Sequence, residues 1–468
     1  MMNADKHVVS TGLILFVVGI GAFMDGLDGA IVNVSLPQIA ASFNADISLA
    51  SLILTIYLVV LSSLMVIFAK ISTFAGTKKI YIGGLAIFTL ASLLCAVSWN
   101  IEALIAFRAL QGLGAAMIAP SAVATIALHV RESERAKSLG VIAAASALAF
   151  ALGPVAGGLI TEHLSWHWIF LINIPIGIVA IILAKYILSD DVPNVAALRA
   201  FDYTGAVLFF IAMTLFILPM GFIGEKSEGL INPLNLLLLS AVVFLLFALA
   251  EKKAPDPVID LSLFRNWNFT CSTLSYSVAM LAYGGLLLIL PFYLQFIQSL
   301  SPGEAGLFLL IPSLIITVLS PVGGMLADKR GAGQVCVVSS AIFLVTFLMM
   351  LFISSTSGTG LLIAALIVMG IGFGPFMSAG SSRIIEHSGE DKREMASGIM
   401  STSIYFGTAL GTALFTAIFS YFSGGHGSGS NLLVPAFMSG FNAAIVAGVL
   451  FCIIVIVTSS MVRDKKST

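Results

Sequence analysis

The chain has 468 residues, of which 59% are hydrophobic and only 10% charged, and its formal net charge is −1. A soluble chain carries about 25% charged residues, so this composition excludes a water-soluble globular protein. The near-neutral balance removes any electrostatic case for nucleic-acid binding. Cys95, Cys271, Cys336 and Cys452 are scattered through apolar runs with no paired or ligand spacing, and the six histidines show no metal pattern. The thiols read as small buried apolar groups, and neither a metal nor a cofactor is expected. The first apolar run is too long for a leader and shows no small-residue cleavage pattern, so no cleavable signal peptide is expected.

A spanning helix needs roughly 20 mostly apolar residues. In chain order the sequence predicts fourteen, at about 11–37, 47–69, 80–98, 101–127, 136–161, 166–188, 203–223, 231–250, 269–297, 304–326, 333–354, 359–381, 395–422 and 433–460. The longest polar connection, roughly 189–201, has no room for a folded soluble domain. The first span contains GAFMDGLDGAIVNVSLP (21–37), with two carboxylates, Asp25 and Asp28. A charge at the centre of a bilayer costs about 2.5–3.5 kcal/mol on insertion scales, so these acids are expected to have a function. The fourth span carries Arg108 in RALQGLGAAM (108–117), the one unambiguous cation read as lying deep in a span.

The basic residues test this count. With the N-terminus inside, the cytoplasmic segments hold Lys6; Lys70, Lys78, Lys79; Arg131, Arg135, Lys137; Lys185, Arg199; Lys252, Lys253, Arg265; Lys329, Arg330; Arg383, Lys392, Arg393; and Arg463, Lys465, Lys466. Of the 22 Lys and Arg, Lys226 alone falls outside and Arg108 falls within a span. So lopsided a split follows the positive-inside rule and predicts a multi-pass cell-membrane protein with both termini cytoplasmic. Trp99, Trp166, Trp168 and Trp267 fall at span edges, where amphipathic rings favour the interface.

The chain also repeats itself. Gly112 and Gly114 match Gly370 and Gly372 at an offset of 258 (370 − 112), as Gly140 matches Gly398 and Gly153 matches Gly411. AKISTFAG (69–76) lines up with GMLADKRG (324–331) at an offset of 255 (324 − 69). Spans 1–6 and 9–14 therefore share one plan, and spans 7 and 8 have no counterpart. The expected organisation is an N-terminal six-helix bundle over 1–190, two additional membrane helices over 191–253, and a C-terminal six-helix bundle over 254–468. Duplicated bundles around a midplane site are the architecture of rocking, alternating-access transporters.

LDGAIVNVSLP (27–37), RALQGLGAA (108–116), ALGPVAGGL (151–159), WHWIFLINIPIG (166–177), FDYTGA (201–206) and GMLADKRG (324–331) occur in one order along nearly the whole chain. In these segments the sequence resembles the major facilitator superfamily, specifically its fourteen-span drug:proton antiporter branch of multidrug and quaternary-ammonium exporters. The resemblance implies an all-α polytopic fold of two six-helix bundles plus two extra linker helices. It also implies that the acid of the LD motif, here Asp28, belongs to the coupling machinery. Asp25 is a departure, because that position is usually apolar in the family.

Asp25 and Asp28 lie three residues apart and share a helix face. Measured from Pro37 and Asn100, Asp28 and Arg108 stand at roughly 13 and 12 Å of depth at 1.5 Å per residue, so the two can meet. Arg108 is expected to hold Asp28 ionised, and Asp25, without a basic partner, is expected to be the acid that exchanges a proton. The alternatives are a purely structural ion pair for Asp28 and a cavity-lining carboxyl for Asp25. In ALGPVAGGL, Gly153, Gly157 and Gly158 form a close-packing face and Pro154 removes a backbone hydrogen bond; the family associates this element with antiporters. The counterparts of Pro154 and Arg108 in the second half are Thr412 and Leu366.

Gly324, Asp328, Lys329, Arg330 and Gly331 match the family's gating loop. In the first-half copy, Ala69, Thr73 and Phe74 stand where Gly, Asp and a basic residue are expected. Candidate substrate contacts are the polar groups in apolar helices: Asn33, Gln38, Tyr57, Gln111, Tyr283, Tyr293 and Gln295. No phosphate-binding loop is present, so an ATP-driven pump is excluded. No nucleophile–base pair or second catalytic element supports an enzyme. With no further buried acid, the site suits a neutral or monovalent cationic lipophile. The reading is a monomeric proton-coupled exporter whose partners are a small lipophilic substrate, protons and the lipid bilayer. A symporter or exporter of an endogenous lipid or metabolite, and a non-transporting membrane sensor, stay open.

Overall fold

The computed structural model describes residues 11–191, 193–194, 201–223, 232–254, 257–424 and 433–462. The basic residues Lys6, Arg199, Lys226, Arg463, Lys465 and Lys466 lie outside the described residues. Fourteen helices are long and apolar enough to cross a membrane. They are α1 Thr11–Ser42, α2 Ile47–Ala75, α3 Thr77–Ala96, α4 Ile101–His129, α5 Glu132–His163, α6 Trp168–Ile187, α7 Tyr203–Phe222, α8 Pro233–Glu251, α9 Trp267–Ile297, α10 Pro302–Arg330, α11 Ala332–Met350, α12 Thr359–Glu386, α13 Glu390–Ser423 and α14 Val434–Met461.

Polar residues between the apolar runs start the helices. Asp46 accepts from the Leu49 amide at 2.7 Å and Asn100 from the Ala103 amide at 2.8 Å. Ser301 and Glu304 form a reciprocal capping box at the start of α10. The turns into α3 and α11 each consist of one glycine, Gly76 at φ +100° and Gly331 at φ +89°. Side chains rarely adopt that conformation, which accounts for a glycine closing both copies of the repeated loop. α1 continues past Pro37 to Ser42 instead of stopping at the proline. A proline there removes a single backbone donor, and packing against neighbouring helices tolerates the loss.

The packing of α1–α6 recurs in α9–α14. α1 lies on α5 as α9 lies on α13; α2 lies on α4 as α10 on α12; α3 lies on α4 as α11 on α12. The repeated glycines do the same work in each copy. A Cβ on Gly114 would stand 2.6 Å from the Phe88 amide nitrogen of α3, and one on Gly372 would stand 2.5 Å from that of Phe343 in α11. α7 and α8 pack on each other, and α7 also touches α2 and α13.

Lys70, Lys78, Arg131, Lys252, Lys329 and Lys392 gather at one end of the bundle, called here the basic end. The opposite, far end carries Asp46, Glu102, Glu162 and Glu304 and, among the described residues, no Lys or Arg. At the basic end the connector from α8 to α9 is clasped on both sides. Lys70 Nζ donates to the Pro257 carbonyl at 2.6 Å, and Lys392 Nζ lies 2.6 Å from Asp260 Oδ2. Hydrogen bonding from Lys392, with help from Ser262, holds the Asp260 carboxyl down to about 2, so it stays ionised at any physiological pH. Trp99, Trp168 and Trp267 are exposed at helix ends, whereas Trp166 is buried against Phe43, His167 and Phe170.

The two halves meet along α2–α13 and α5–α10. α5 and α10 approach backbone to backbone near the far end. A Cβ on Gly158 would collide with the Pro302 carbonyl, and one on Gly306 with the Pro154 carbonyl. Toward the basic end the same helices carry exposed apolar side chains, among them Val141 and Leu148 on α5 and Val318 and Met325 on α10. Gly306→Leu is expected to force α5 and α10 apart and destabilise the purified protein by about 1–3 kcal/mol, the usual cost of overpacking. Gly140→Leu, where a Cβ meets nothing within 4 Å, is expected to leave stability unchanged. Thermal unfolding in detergent compares the two.

Candidate functional site

α4 carries the site's cation because of where its glycine lies. A Cβ on Gly112 would stand 2.7 Å from the Tyr57 carbonyl of α2, so the absence of one brings the helices close just one turn past Arg108. The guanidinium then lies over the Tyr57 ring, 4.1 Å from its centroid, with Phe170 at 5.9 Å. Its Nε donates to the Ile53 carbonyl at 3.1 Å. Nη1 donates to Asp28 Oδ2 at 2.5 Å and to Gln111 Oε1 at 2.7 Å. Arg108 and Asp28 are both 0% exposed.

The Asp28 carboxylate is saturated. Besides Arg108 it accepts from Gln111 Nε2 at 2.8 Å and from Asn173 Nδ2 of α6 at 3.2 Å, both on Oδ1. Gln111 also donates to Ser92 Oγ of α3 at 2.9 Å. Helices α1, α2, α3, α4 and α6 thus converge on one charge pair.

Asp25, one turn nearer the basic end, has different company. Its Oδ1 accepts from the Tyr57 hydroxyl at 2.7 Å and its Oδ2 from the Tyr405 hydroxyl of α13 at 3.3 Å. It is 9% exposed, against 0% for Asp28. With both acids ionised, the cluster sets two carboxylates against one guanidinium and is one positive charge short of neutrality.

The other polar candidates divide. Tyr57 and Gln111, read from the sequence as substrate contacts, are buried as hydrogen-bonding partners of the charged groups. Asn33 donates back to the Gly29 carbonyl of its own helix at 3.3 Å. Gln38 and Gln295 meet at the far end at 3.4 Å, and Gln295 Nε2 donates to the Val34 carbonyl at 2.8 Å, joining α1 to α9. Tyr293 donates to the Ser354 carbonyl at 3.1 Å. Tyr283 is half-buried and lies flat on Phe373 of α12, with centroids 4.1 Å apart and an interplanar angle of 5°.

In the ALGPVAGGL element, Gly153 and Gly157 face α1 at Ala30 and Ile31, while Gly158 faces Pro302 of α10, and the Pro154 carbonyl abuts Gly306. Asp328, Lys329 and Arg330 are exposed at the end of α10, and among the described residues no hydrogen bond ties the Asp328 carboxylate. The sequence reading passed over Asn173 and Tyr405. Both meet the criterion that selected Gln111 and Tyr57: a polar group inside an apolar helix. Arg383, assigned to a cytoplasmic segment, is instead 2% exposed inside α12 and donates to the carbonyls of Ser459 and Val462 at 2.9 Å.

Breaking the pair from one side leaves a buried charge uncompensated, at about 3–5 kcal/mol. Arg108→Leu is expected to lower stability by that amount, and Arg108→Leu with Asp28→Asn to recover part of it. Thermal unfolding of the purified variants reads both.

Comparison with known proteins places this geometry in a family. The model of the Major Facilitator Superfamily matches residues 18–203 and 272–467. The riboflavin transporter RibZ of Clostridioides difficile is 33% identical over 85% of this chain and 86% of its own. The tetracenomycin C resistance and export protein of Streptomyces glaucescens is 28% identical over 85% of this chain and 74% of its own. Among solved structures, a bacterial homolog of the human lysosomal transporter Spinster, in an inward-facing and unoccupied conformation, superposes with a TM-score of 0.67 at 16% identity, covering 98% of both chains. With two family-matched segments of duplicated helix packing around a buried ion pair, this chain belongs to the major facilitator superfamily of membrane transporters.

Proposed function

We propose that the chain is a proton-coupled antiporter that exports neutral or monovalent cationic lipophilic compounds across the cell membrane by alternating access, with the basic end and both termini cytoplasmic. The reading rests on one observation: the buried cluster of Asp25, Asp28 and Arg108 lacks a single positive charge. A proton on Asp25 supplies it, and so does a monovalent cation beside Asp25. Two ligands that neutralise the same carboxylate exclude one another, and mutual exclusion is the physical content of exchange. Asp28, bonded by Arg108, Gln111 and Asn173, fixes α1 against α4 and α6. Asp25 is the acid that changes state.

The seam between α5 and α10 supports an arrangement closed at the far end and parted at the basic end, which admits cargo from the cytoplasm. The relatedness to a drug resistance and export protein supports export as the direction. One feature favours a second cargo class. Tyr283 stacked on Phe373 offers a flat aromatic surface, and a relative at 33% identity is a riboflavin transporter, so a neutral planar ring system is the other substrate to test.

The test is a proteoliposome assay with an acidic interior and a trapped pH dye. Ethidium, tetraphenylphosphonium and riboflavin are added in turn. Proton release evoked by either cation supports exchange; release evoked by riboflavin alone moves the cargo class to flavins. Asp25→Asn is expected to abolish evoked release while binding of a neutral substrate persists. Evoked release that survives Asp25→Asn would remove Asp25 from the coupling step.

A further inference from the structure

Tyr405 joins the two halves at a different kind of group from the other cross-links. Apart from the Lys70 bond to the Pro257 carbonyl at the basic end, those lie toward the far end and are neutral or at the surface. Thr55 and Thr412 meet at 2.9 Å, Ser48 and Ser420 at 2.7 Å, and Gln295 reaches the Val34 carbonyl at 2.8 Å. Glu162 accepts from Ser301 Oγ at 2.9 Å and from the Gly303 amide at 2.8 Å. The Tyr405 bond alone among these ends on a carboxylate inside the bilayer, at 3.3 Å from Asp25 Oδ2. The ring behind it is equally placed. It packs on the apolar cluster that includes Val17, Val18, Tyr57 and Leu61, and every other described member of that cluster lies in the first half, between residues 14 and 188.

We infer that Tyr405 is a positioning residue that holds the unloaded carrier still, its hydroxyl occupying Asp25 across the two halves until a proton or a cation takes that carboxylate. The inference rests on the exchange reading above. An ionised carboxylate accepts on both oxygens, and hydrogen bonds to it are about twice as strong as neutral ones. With Asp25 ionised and no cargo present, Tyr57 satisfies one oxygen from α2 and Tyr405 the other from α13, so the empty carrier is tied across its interface. Protonation weakens Oδ2 as an acceptor, and a cation at Asp25 competes for the same lone pairs; either frees α13 to move. The charged and titratable groups facing Asp25 are Asp28 on its own helix, Tyr57 from α2, Arg108 from α4 and Tyr405 from α13. The nearest bonded side chains of α5 and α6 are uncharged and do not bond Asp25: Ser146 donates to the Ala22 carbonyl and Asn173 to Asp28.

An exchanger that crosses empty leaks: the protonated form carries a proton one way, the bare form returns, and the gradient collapses without cargo. A tie that forms only on the bare form suppresses that return step. The measurement is therefore proton leak through the full-length protein in proteoliposomes with an imposed pH gradient and no substrate. Tyr405→Phe, which keeps the ring and removes the hydroxyl, is expected to raise the leak about tenfold, the population change that losing one hydrogen bond to a charged group gives. Tyr405→Met, which also lacks the hydroxyl, is expected to behave alike and is read in parallel. In an Asp25→Asn background, adding Tyr405→Phe is expected to change nothing further.

A leak unaltered by both substitutions overturns the inference. So does an equal rise in the Asp25→Asn background, which would make Tyr405 a plug in the seam rather than a partner of the acid. Parental protein that never releases protons on addition of ethidium, tetraphenylphosphonium or riboflavin overturns the exchange reading itself, and this inference with it. Parental exchange with an unaltered leak removes only the role of Tyr405.

Discussion

The pairing of Arg108 with Asp28 at 2.5 Å, with no exposed surface on either, is the constraint around which the first six helices are arranged. Two charges taken out of water cost several kcal/mol each, and their attraction offsets this only when the remaining donors and acceptors are also met. Four helices go most of the way to that condition: Asp28 from α1, Arg108 and Gln111 from α4, the Ile53 carbonyl from α2 and Asn173 from α6, with Ser92 of α3 behind Gln111, while Arg108 Nη2 has no hydrogen-bond partner among the described residues. Asp25, one turn away and slightly exposed, is held by the hydroxyls of Tyr57 and Tyr405 instead of by a cation.

The duplicated half makes the contrast sharper. It repeats the close approach of glycine to phenylalanine backbone at Gly372 and Phe343, and the seating of α13 on α9 through Gly407 and Gly411. At the position of Arg108, however, it has Leu366, buried among apolar neighbours. The two halves share their packing and differ in their chemistry: the first holds the buried acids and the Arg108 ion pair, and the second contributes aromatic hydroxyls and rings, Tyr405 against Asp25 and Tyr283 against Phe373. Asp25 thus has a partner in each half, whereas the bonds to Asp28 all come from the first half.

Much of this was legible in the sequence, because a bilayer leaves a chain few options. Fourteen apolar runs became fourteen helices, and the repeated glycines marked the same contacts in each copy. Three features could not be read so easily, each for a physical reason. Pro37 reads as a terminator, yet a single missing donor is tolerated within a packed membrane helix, and α1 continues to Ser42. Arg383 reads as a topogenic charge because it lies near a span end; its partners are backbone carbonyls of Ser459 and Val462, which no residue pattern reveals. Tyr57 and Gln111 read as cavity polar groups, but a buried charge pair has first claim on nearby donors. Polarity inside a span shows that a group must be satisfied. It does not say by what.

The repeated loop at the basic end carries the argument one step further. In the second copy the turn at Gly331 follows Asp328, Lys329 and Arg330, which are exposed and supplied by the loop itself. In the first copy those charges are missing, and the carboxylates come from the segment after α6. Asp191 accepts from the Thr77 amide at 2.8 Å and lies 3.3 Å from His129 Nε2, while Asp190 lies 3.1 Å from Lys78 Nζ. The Asn194 amide adds a bond to the Phe74 carbonyl at 2.8 Å. Each of these bonds joins helices of the same half. They tie α2, α3 and α4 to the segment after α6 as a unit and contribute nothing that links one half to the other. A loop that had kept its own charges would be free to grip the opposite half; here its anchors face inward. The contacts that do leave the first half toward this end are the Lys70 bond to the Pro257 carbonyl of the connector and, deeper in the bundle, the Tyr405 bond to Asp25.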